Sequence, residues 1–283
     1  MSATVAAPPR TRTSTYLDRP PFFVRATRRT RDIYTFRHLV RYLVSTSLRT
    51  ENVGTVFGFL WWLLDPLLLM GVYWVLIDLV LRRGGANYPL FVLAAILSWE
   101  FFVKSTRNSM GFTLQKERAM RQVAFPKSVV PLAATLAEGV HFLMALALFL
   151  IFAVPFGIYP SPLALLAIPI DAVQLLFTLG VAFFLAGLNM FFRDANHLSD
   201  YLFRLWFYLS PGLYDVSLIP DRYRRVFDLN PFATFFGSFR DVLLDHRRPD
   251  FAALGVVAGV SVAVLVCGYL YFIAVEPSFA KVD

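Results

Sequence analysis

Thiols, imidazoles and catalytic motifs are scarce in this chain. Cys267 is its one cysteine and lies inside an apolar run, so neither a disulfide nor a cysteine metal site can form within one chain. The four histidines, His38, His141, His197 and His246, are scattered without ligand spacing, and no metal is expected. There is no G-x-x-x-x-G-K-[ST] loop, so the chain cannot bind and split ATP by that route. G-x-S-x-G, H-E-x-x-H and paired-cysteine motifs are missing too.

What fills the chain instead is apolar sequence. Hydrophobic residues make up 57% of it and the mean hydropathy is +0.58. Runs of spanning length set the class: an all-α, polytopic membrane protein. Six spans are expected, at about 57–81, 89–103, 129–156, 163–192, 197–213 and 251–275. The formal net charge of +8 suggests nucleic acid only until its placement is considered. Most Lys and Arg sit in short segments between spans. With the amino terminus inside, inner segments carry eighteen basic residues and outer segments eight. The positive-inside rule then puts both termini in the cytosol and residues 214–250 on the far side. Ten arginines in the first 56 residues, with no apolar core before Ile33, argue against a cleavable signal peptide.

Residues 1–32, rich in Pro, Thr and Arg, read as a disordered basic cytosolic tail. Residues 33–50 form an amphipathic helix. Ile33, Phe36, Leu39, Val40, Leu43 and Val44 follow one stripe, and Arg37, His38, Arg41 and Arg49 take the other side. It suits a basic surface anchor on membrane lipids, or an interface helix gripped by a partner subunit. Residues 51–283 form the six-span domain. Asp65-Pro66 in the first span is either a kink or a pathway group. Glu138 and His141 are three apart in the third span, share a face and can pair, and they read as a buried helix–helix contact rather than a metal site.

The stretch from Phe192 to Pro231 organises the rest. It opens with the charged corner Phe192-Arg193-Asp194 and continues through an aromatic helix. It breaks at Ser210-Pro211-Gly212 and ends at Asn230-Pro231. Broken backbone at membrane depth is tolerated where protein or water satisfies it. Tyr201, Phe203, Trp206, Phe207 and Tyr208 cover the aromatic helix, as packing or as a ligand surface, and Arg204 lies among them. Beyond it, residues 214–250 suit two short amphipathic helices, the second capped by Asn230 with Pro231 in its first position. Intramembrane carboxylates at Asp65, Asp78, Glu100, Glu138 and Asp171 are spread over several spans. No inverted repeat supports a proton-coupled carrier. No adjacent acids suggest a metal-dependent glycosyltransferase.

The order of short motifs resembles the permease subunits of ABC-2-type polysaccharide exporters, which move O-antigen, teichoic-acid and capsule-type glycans. The matching pieces are Val53-Gly54, then Gly58-Phe59-Leu60-Trp61 with Asp65-Pro66, and Tyr88-Pro89-Leu90-Phe91 with Trp99-Glu100-Phe101-Phe102. Phe125-Pro126-Lys127 with Pro131, Phe192-Arg193-Asp194, Ser210-Pro211 and Asn230-Pro231-Phe232 follow. They run from about residue 33 to 275. The resemblance implies a homodimer in the bacterial cytoplasmic membrane, joined to two copies of a cytosolic ABC ATPase that binds ATP and Mg. This chain would hold no cofactor and have no catalytic role. A lipid-linked glycan would be the substrate.

By the same resemblance, the channel runs between protomers past Trp61, Trp62, Tyr73, Tyr201, Arg204, Trp206, Phe207, Tyr208 and Tyr214. Coupling to the ATPase falls on a helix at about 111–124, with Gln115, Lys116, Arg118 and Arg121, and on Arg37 and Arg41 of the interface helix. Hinges fall at Arg193, Asp194, Ser210, Pro211, Asn230 and Pro231, and residues 214–250 form an outer gate. The alternatives are an ABC-2 permease for a drug or another lipid, and a membrane-embedded lipid-sugar enzyme.

Overall fold

The computed structural model describes residues 31, 33–50, 60–82, 84–85, 87–115, 125–192 and 194–277, and these are helices and short connections without a strand. Helix α1 (Arg37–Thr50) lays its apolar stripe on the end of the bundle near Val129 and Ala133. Val40 is buried there with Val129 and Ala133, and Phe36, Leu39, Leu43 and Val44 pack around them. Arg37, His38 and Arg41 face outward, as the helical period requires.

Helix α2 (Leu60–Trp74) contains Pro66 and passes into a wider π-helical turn, Val75–Val80. Pro66 is buried against the bundle and Asp65 beside it is exposed. The Trp74 indole donates to Asp78 Oδ2 at 2.9 Å.

Helix α3 (Tyr88–Gln115) has 28 residues and is about 42 Å long. It runs well past the expected span end at residue 103, and the expected coupling helix begins as its last turn. The physical reason is that Thr106, Arg107, Asn108 and Ser109 are satisfied within the helix or by its neighbours. Thr106 and Ser109 donate one turn back, to the carbonyls of Phe102 at 2.9 Å and Ser105 at 2.7 Å. Asn108 Nδ2 donates to Glu138 Oε1 at 2.7 Å, and Arg107 Nη2 to Asp200 Oδ1 at 2.6 Å. A helix carrying its own polar partners need not stop where the apolar run stops. Residues 116–124, the rest of that coupling segment, lie outside the described residues.

Helix α4 (Val129–Ala153) starts from the Phe125-Pro126-Lys127 turn, with Val129 N–H donating to the Pro126 carbonyl at 3.1 Å. Lys127 N–H also donates to Glu276 Oε1 at 3.0 Å, tying the start of α4 to the far end of the chain. Within α4, His141 Nδ1 sits 3.5 Å from Glu138 Oε2, the helix-turn pair that the spacing predicts.

Helix α5 (Ala167–Phe191) packs most extensively on α9 (Phe251–Val275). Gly180 and Gly268 make that approach possible. A Cβ on Gly268 would stand 2.1 Å from the Gly180 carbonyl oxygen, and one on Gly180 would meet the Val264–Leu265 backbone at 2.6 Å.

Helix α6 (Ala195–Leu209) is 15 residues long, about 22 Å, and stops at Ser210-Pro211-Gly212. Helix α7 (Asp221–Asp228) is amphipathic and has no buried residue. Helix α8 (Pro231–Leu243) begins as expected, with the Asn230 side chain accepting from Phe232 N–H at 3.1 Å. It is a wedge rather than a loose flap. Phe232, Phe235, Phe236 and Phe239 are completely enclosed, against α3, α5 and α9.

Among the described residues, four helical stretches are long and apolar enough to cross a bilayer: Tyr88–Gly111, Val129–Phe156, Pro162–Phe191 and Phe251–Val275. The other two crossings of the expected six fall on α2 and α6. Each has 15 regular helical residues, against about 20 for a bilayer core about 30 Å thick.

Candidate functional site

Helices α2, α3 and α6 enclose a cleft of about 350 Å³. Tyr73, Trp99, Phe207 and Tyr208 form its aromatic wall, and Glu100, Arg107, Asp200 and Arg204 its polar one. A wider cleft of about 620 Å³ adjoins it, lined by Tyr88, Phe91, Tyr208, Tyr214 and Asp215 among others. Tyr208 belongs to both. Its hydroxyl accepts from the Tyr73 hydroxyl at 3.3 Å, so the junction is crossed by a bond between α2 and α6.

The aromatic stripe of α6 splits into two faces. Phe203, Trp206, Phe207 and Ser210 recur at i, i+3, i+4 and i+7 and turn toward the bundle. Tyr201, Arg204, Leu205 and Tyr208 recur at the same spacing on the opposite side. Tyr201 is 70% exposed and Tyr208 55%, whereas Phe207 is only 5% exposed. Trp206 is not among the residues that line this cleft. Its ring packs edge-on to Phe232 at 5.1 Å and Phe102 at 5.6 Å, and its N–H donates to Asn230 Oδ1 at 3.2 Å. A buried indole needs such an acceptor, and the capping Asn230 supplies it. Tyr73 is buried on the cleft wall, and Tyr214 lies half-buried in the outer cleft.

The break after α6 is heavily latched. Ser210 is fully buried, donates to the Trp206 carbonyl at 2.8 Å and accepts from Asn230 Nδ2 at 2.8 Å. The carbonyls of Pro211 and Gly212 accept from Arg240 Nη1 and Nη2 at 2.7 and 2.6 Å. Arg240 Nε reaches the Phe91 carbonyl at 3.1 Å, and the guanidinium lies 3.4 Å above the Phe91 ring centroid. Sequence reasoning counted Arg240 as an ordinary outer charge, yet it is only 6% exposed. The signal was there: Arg240 continues the stripe of Phe232, Phe236 and Phe239 at helical spacing, so it had to point inward. Just outside the latch, Asp215 accepts from Ser217 N–H at 2.8 Å. Hydrogen bonding from the Ser217 side chain, and then from its backbone N–H, holds the Asp215 carboxyl below the usual range, so a carboxylate stands at the edge of the wider cleft at neutral pH.

The remaining expected positions are less concentrated. Arg37 and Arg41 lie together on the exposed side of α1. Pro231 occupies the first turn of α8, and Asp194 precedes α6 with its carbonyl accepting from Leu198 N–H at 2.9 Å. Lys116, Arg118, Arg121 and Arg193 lie outside the described residues, as do the side chains of Trp61, Trp62 and Gln115. No group of three His, Cys, Asp or Glu placed to hold a metal occurs among the described residues.

Several apolar spanning helices, a broken and latched sixth helix and a mixed aromatic and ionic cleft define the class: a multi-pass membrane transport subunit, with no P-loop of its own. The chain belongs to the ABC-2 type transporter family, whose membrane-domain pattern matches residues 30–244. It is 32% identical over 253 residues to the O-antigen export system permease protein RfbA of Myxococcus xanthus, covering 89% of this chain and 97% of that protein. A Klebsiella pneumoniae protein of the same name is 32% identical over 204 residues, covering 72% and 79%. A second from Klebsiella pneumoniae is 28% identical over 241 residues, covering 85% and 93%.

Proposed function

We propose that this chain is the transmembrane permease of an ATP-driven exporter that carries a lipid-linked polysaccharide across the cytoplasmic membrane. The observation that carries the reading is the cleft between α2 and α6, walled by aromatic rings and edged by ion pairs, with Tyr201, Arg204 and Tyr208 exposed beside it. Aromatic faces suit sugar rings and suit a sliding polymer, because no single contact is tight. The half-open cleft of one protomer is completed by a second copy around a two-fold axis, which gives a wider path than one bundle can enclose. The named relatives support the glycan over a drug as cargo.

Energy comes from a separate ABC ATPase. Both termini are cytosolic, so Arg37, Arg41 and the segment around Lys116, Arg118 and Arg121 face that partner. ATP binding closes the motor, and the coupling segment, which begins as the last turn of α3, and α1, which packs on α4, pass the motion into the bundle. At the outer end, Ser210, Asn230 and Arg240 join the end of α6 to α8, so α6 and α8 move as one piece and open the mouth.

A tagged chain purified from native membranes tests this. An ABC ATPase recovered in equal amount, and loss of surface polysaccharide when the chain is deleted, is the expected result. A stable homomer without an ATPase, or unchanged surface glycan after deletion, would sink it.

A further inference from the structure

Glu100, Arg107, Asp200 and Arg204 line the cleft between α2, α3 and α6, and Lys104 pairs with Glu100 from outside that lining, which leaves one cation without a carboxylate. Lys104 Nζ lies 3.4 Å from Glu100 Oε2. Arg107 donates to Asp200 Oδ1 from Nε at 3.2 Å and from Nη2 at 2.6 Å. Those four charges cancel in pairs. Arg204 is left over: among the described residues its guanidinium meets no carboxylate, and its contact is the Tyr201 ring, 5.9 Å away at the centroid. Its position makes this informative. Arg204 follows Asp200 by four residues on one helix, the spacing of an intrahelical ion pair. Asp200 is instead engaged across the cleft by Arg107. Arg204 is exposed on α6 beside the cleft, and a cation at membrane depth is costly unless water or an anionic group meets it.

We infer that Arg204, with Arg107 beside it, forms a subsite for an oxyanion on the transported molecule: a phosphate of the lipid carrier, or a carboxylate of an acidic sugar. The inference rests on the export reading above and names the chemistry taken at that cleft. A guanidinium offers a planar fork of donors matched to phosphate and carboxylate oxygens. The adjoining rings of Trp99, Phe207 and Tyr208 take the apolar face of the sugar next to the anion. The volume, about 350 Å³, falls within the range of roughly 300–1,000 Å³ seen for small-molecule sites. The Arg107–Asp200 pair is the adjustable part. Asp200 keeps Arg107 turned toward α6 until an anion competes for it.

The test uses the complex purified with its ATPase, and two matched pairs of probes. Farnesyl diphosphate is compared with farnesol, and a glucuronic-acid oligosaccharide with its neutral glucose counterpart. Binding is read from quenching of tryptophan fluorescence, since Trp99 lines the cleft. One charged probe should bind about tenfold or more tighter than its neutral partner, the size expected for a charge-assisted hydrogen bond. The preference should weaken with salt, vanish in R204Q and return in part in R204K. A preference for the diphosphate identifies the carrier; one for the uronate identifies the sugar.

Equal binding of charged and neutral probes by the wild type, or a preference that survives in R204Q, overturns the inference. So does the pattern of a lost dimer in R204Q with no oxyanion preference in the wild type, which would make a carboxylate of the second copy the partner of Arg204. If R204Q does not assemble, the wild-type comparison still decides. Failure of the export reading shows itself separately, as a purified chain without an ATPase before any probe is added.

Discussion

Replacing Arg240 with methionine should loosen the outer end of the protein more than any exposed charge change. The substitution keeps much of the side-chain length and removes the guanidinium. Three carbonyls lose their donors: Pro211 and Gly212 in buried surroundings, and Phe91 in a partly buried one. A buried acceptor left without a partner costs about 1–3 kcal/mol, so the two buried ones alone amount to about 2–6 kcal/mol. Removing a buried cation returns part of that through its lost desolvation penalty. A net loss of about 2–4 kcal/mol remains, and for a chain of this size it corresponds to roughly 5–15 °C in apparent melting temperature. R240K should fall between, because one ammonium cannot address three carbonyls in a fork. The assay is thermal unfolding of the detergent-purified complex, followed by size-exclusion recovery after heating. An R240M protein that melts within about a degree of wild type would refute the latch, and with it the idea that α6 and α8 move together.

Trp206→Ala should destabilise by about 3–5 kcal/mol and reduce the recovered complex, because the ring is core packing. Tyr208→Ala should leave assembly near wild type while lowering export, measured as surface glycan per unit of permease; equal assembly loss in both would undo the two-face division of α6. Gly268→Ala forces a Cβ to 2.1 Å from the Gly180 carbonyl and should cost about 1–3 kcal/mol or more, read as a lower melting temperature. An unchanged melting temperature would show that α5 and α9 can separate freely. Charge reversal at Arg118 and Arg121 to Glu should leave ATP hydrolysis running but detach it from export. Normal coupling in reconstituted vesicles would remove that segment as the contact to the motor.

Much of this architecture was legible in the sequence because periodicity and capping are local. The α1 stripe through Val40 and Leu43 was readable, and so was the Asn230 cap with Pro231. The Glu138–His141 pair was readable from its spacing. The length of α3 was not. Its polar end is held by Asp200 and Glu138, 93 and 30 residues away, and no window along the chain shows such partners. The setting of Trp206 was hidden for a related reason. An aromatic stripe gives the spacing of its two faces but not which one meets the bundle, and that was set by Phe232 from another helix. The latch role of Arg240 was missed because charge counting treats every Arg in residues 214–250 alike, while its register in α8 puts it on the phenylalanine stripe.

The central claim is that the pathway lies between two copies along α6. The most direct test is cysteine cross-linking in native membranes. Cys267 is first replaced by serine, and Tyr201, which is 70% exposed on α6, is replaced by cysteine. Oxidation or a short bifunctional reagent should then give a product of twice the 32.1 kDa chain mass. A cysteine at Val262, exposed on α9, which has no extensive packing with α6, should give little. Monomer alone from the Tyr201→Cys chain, with efficient dimer from the Val262→Cys chain, would place the interface elsewhere and contradict the account.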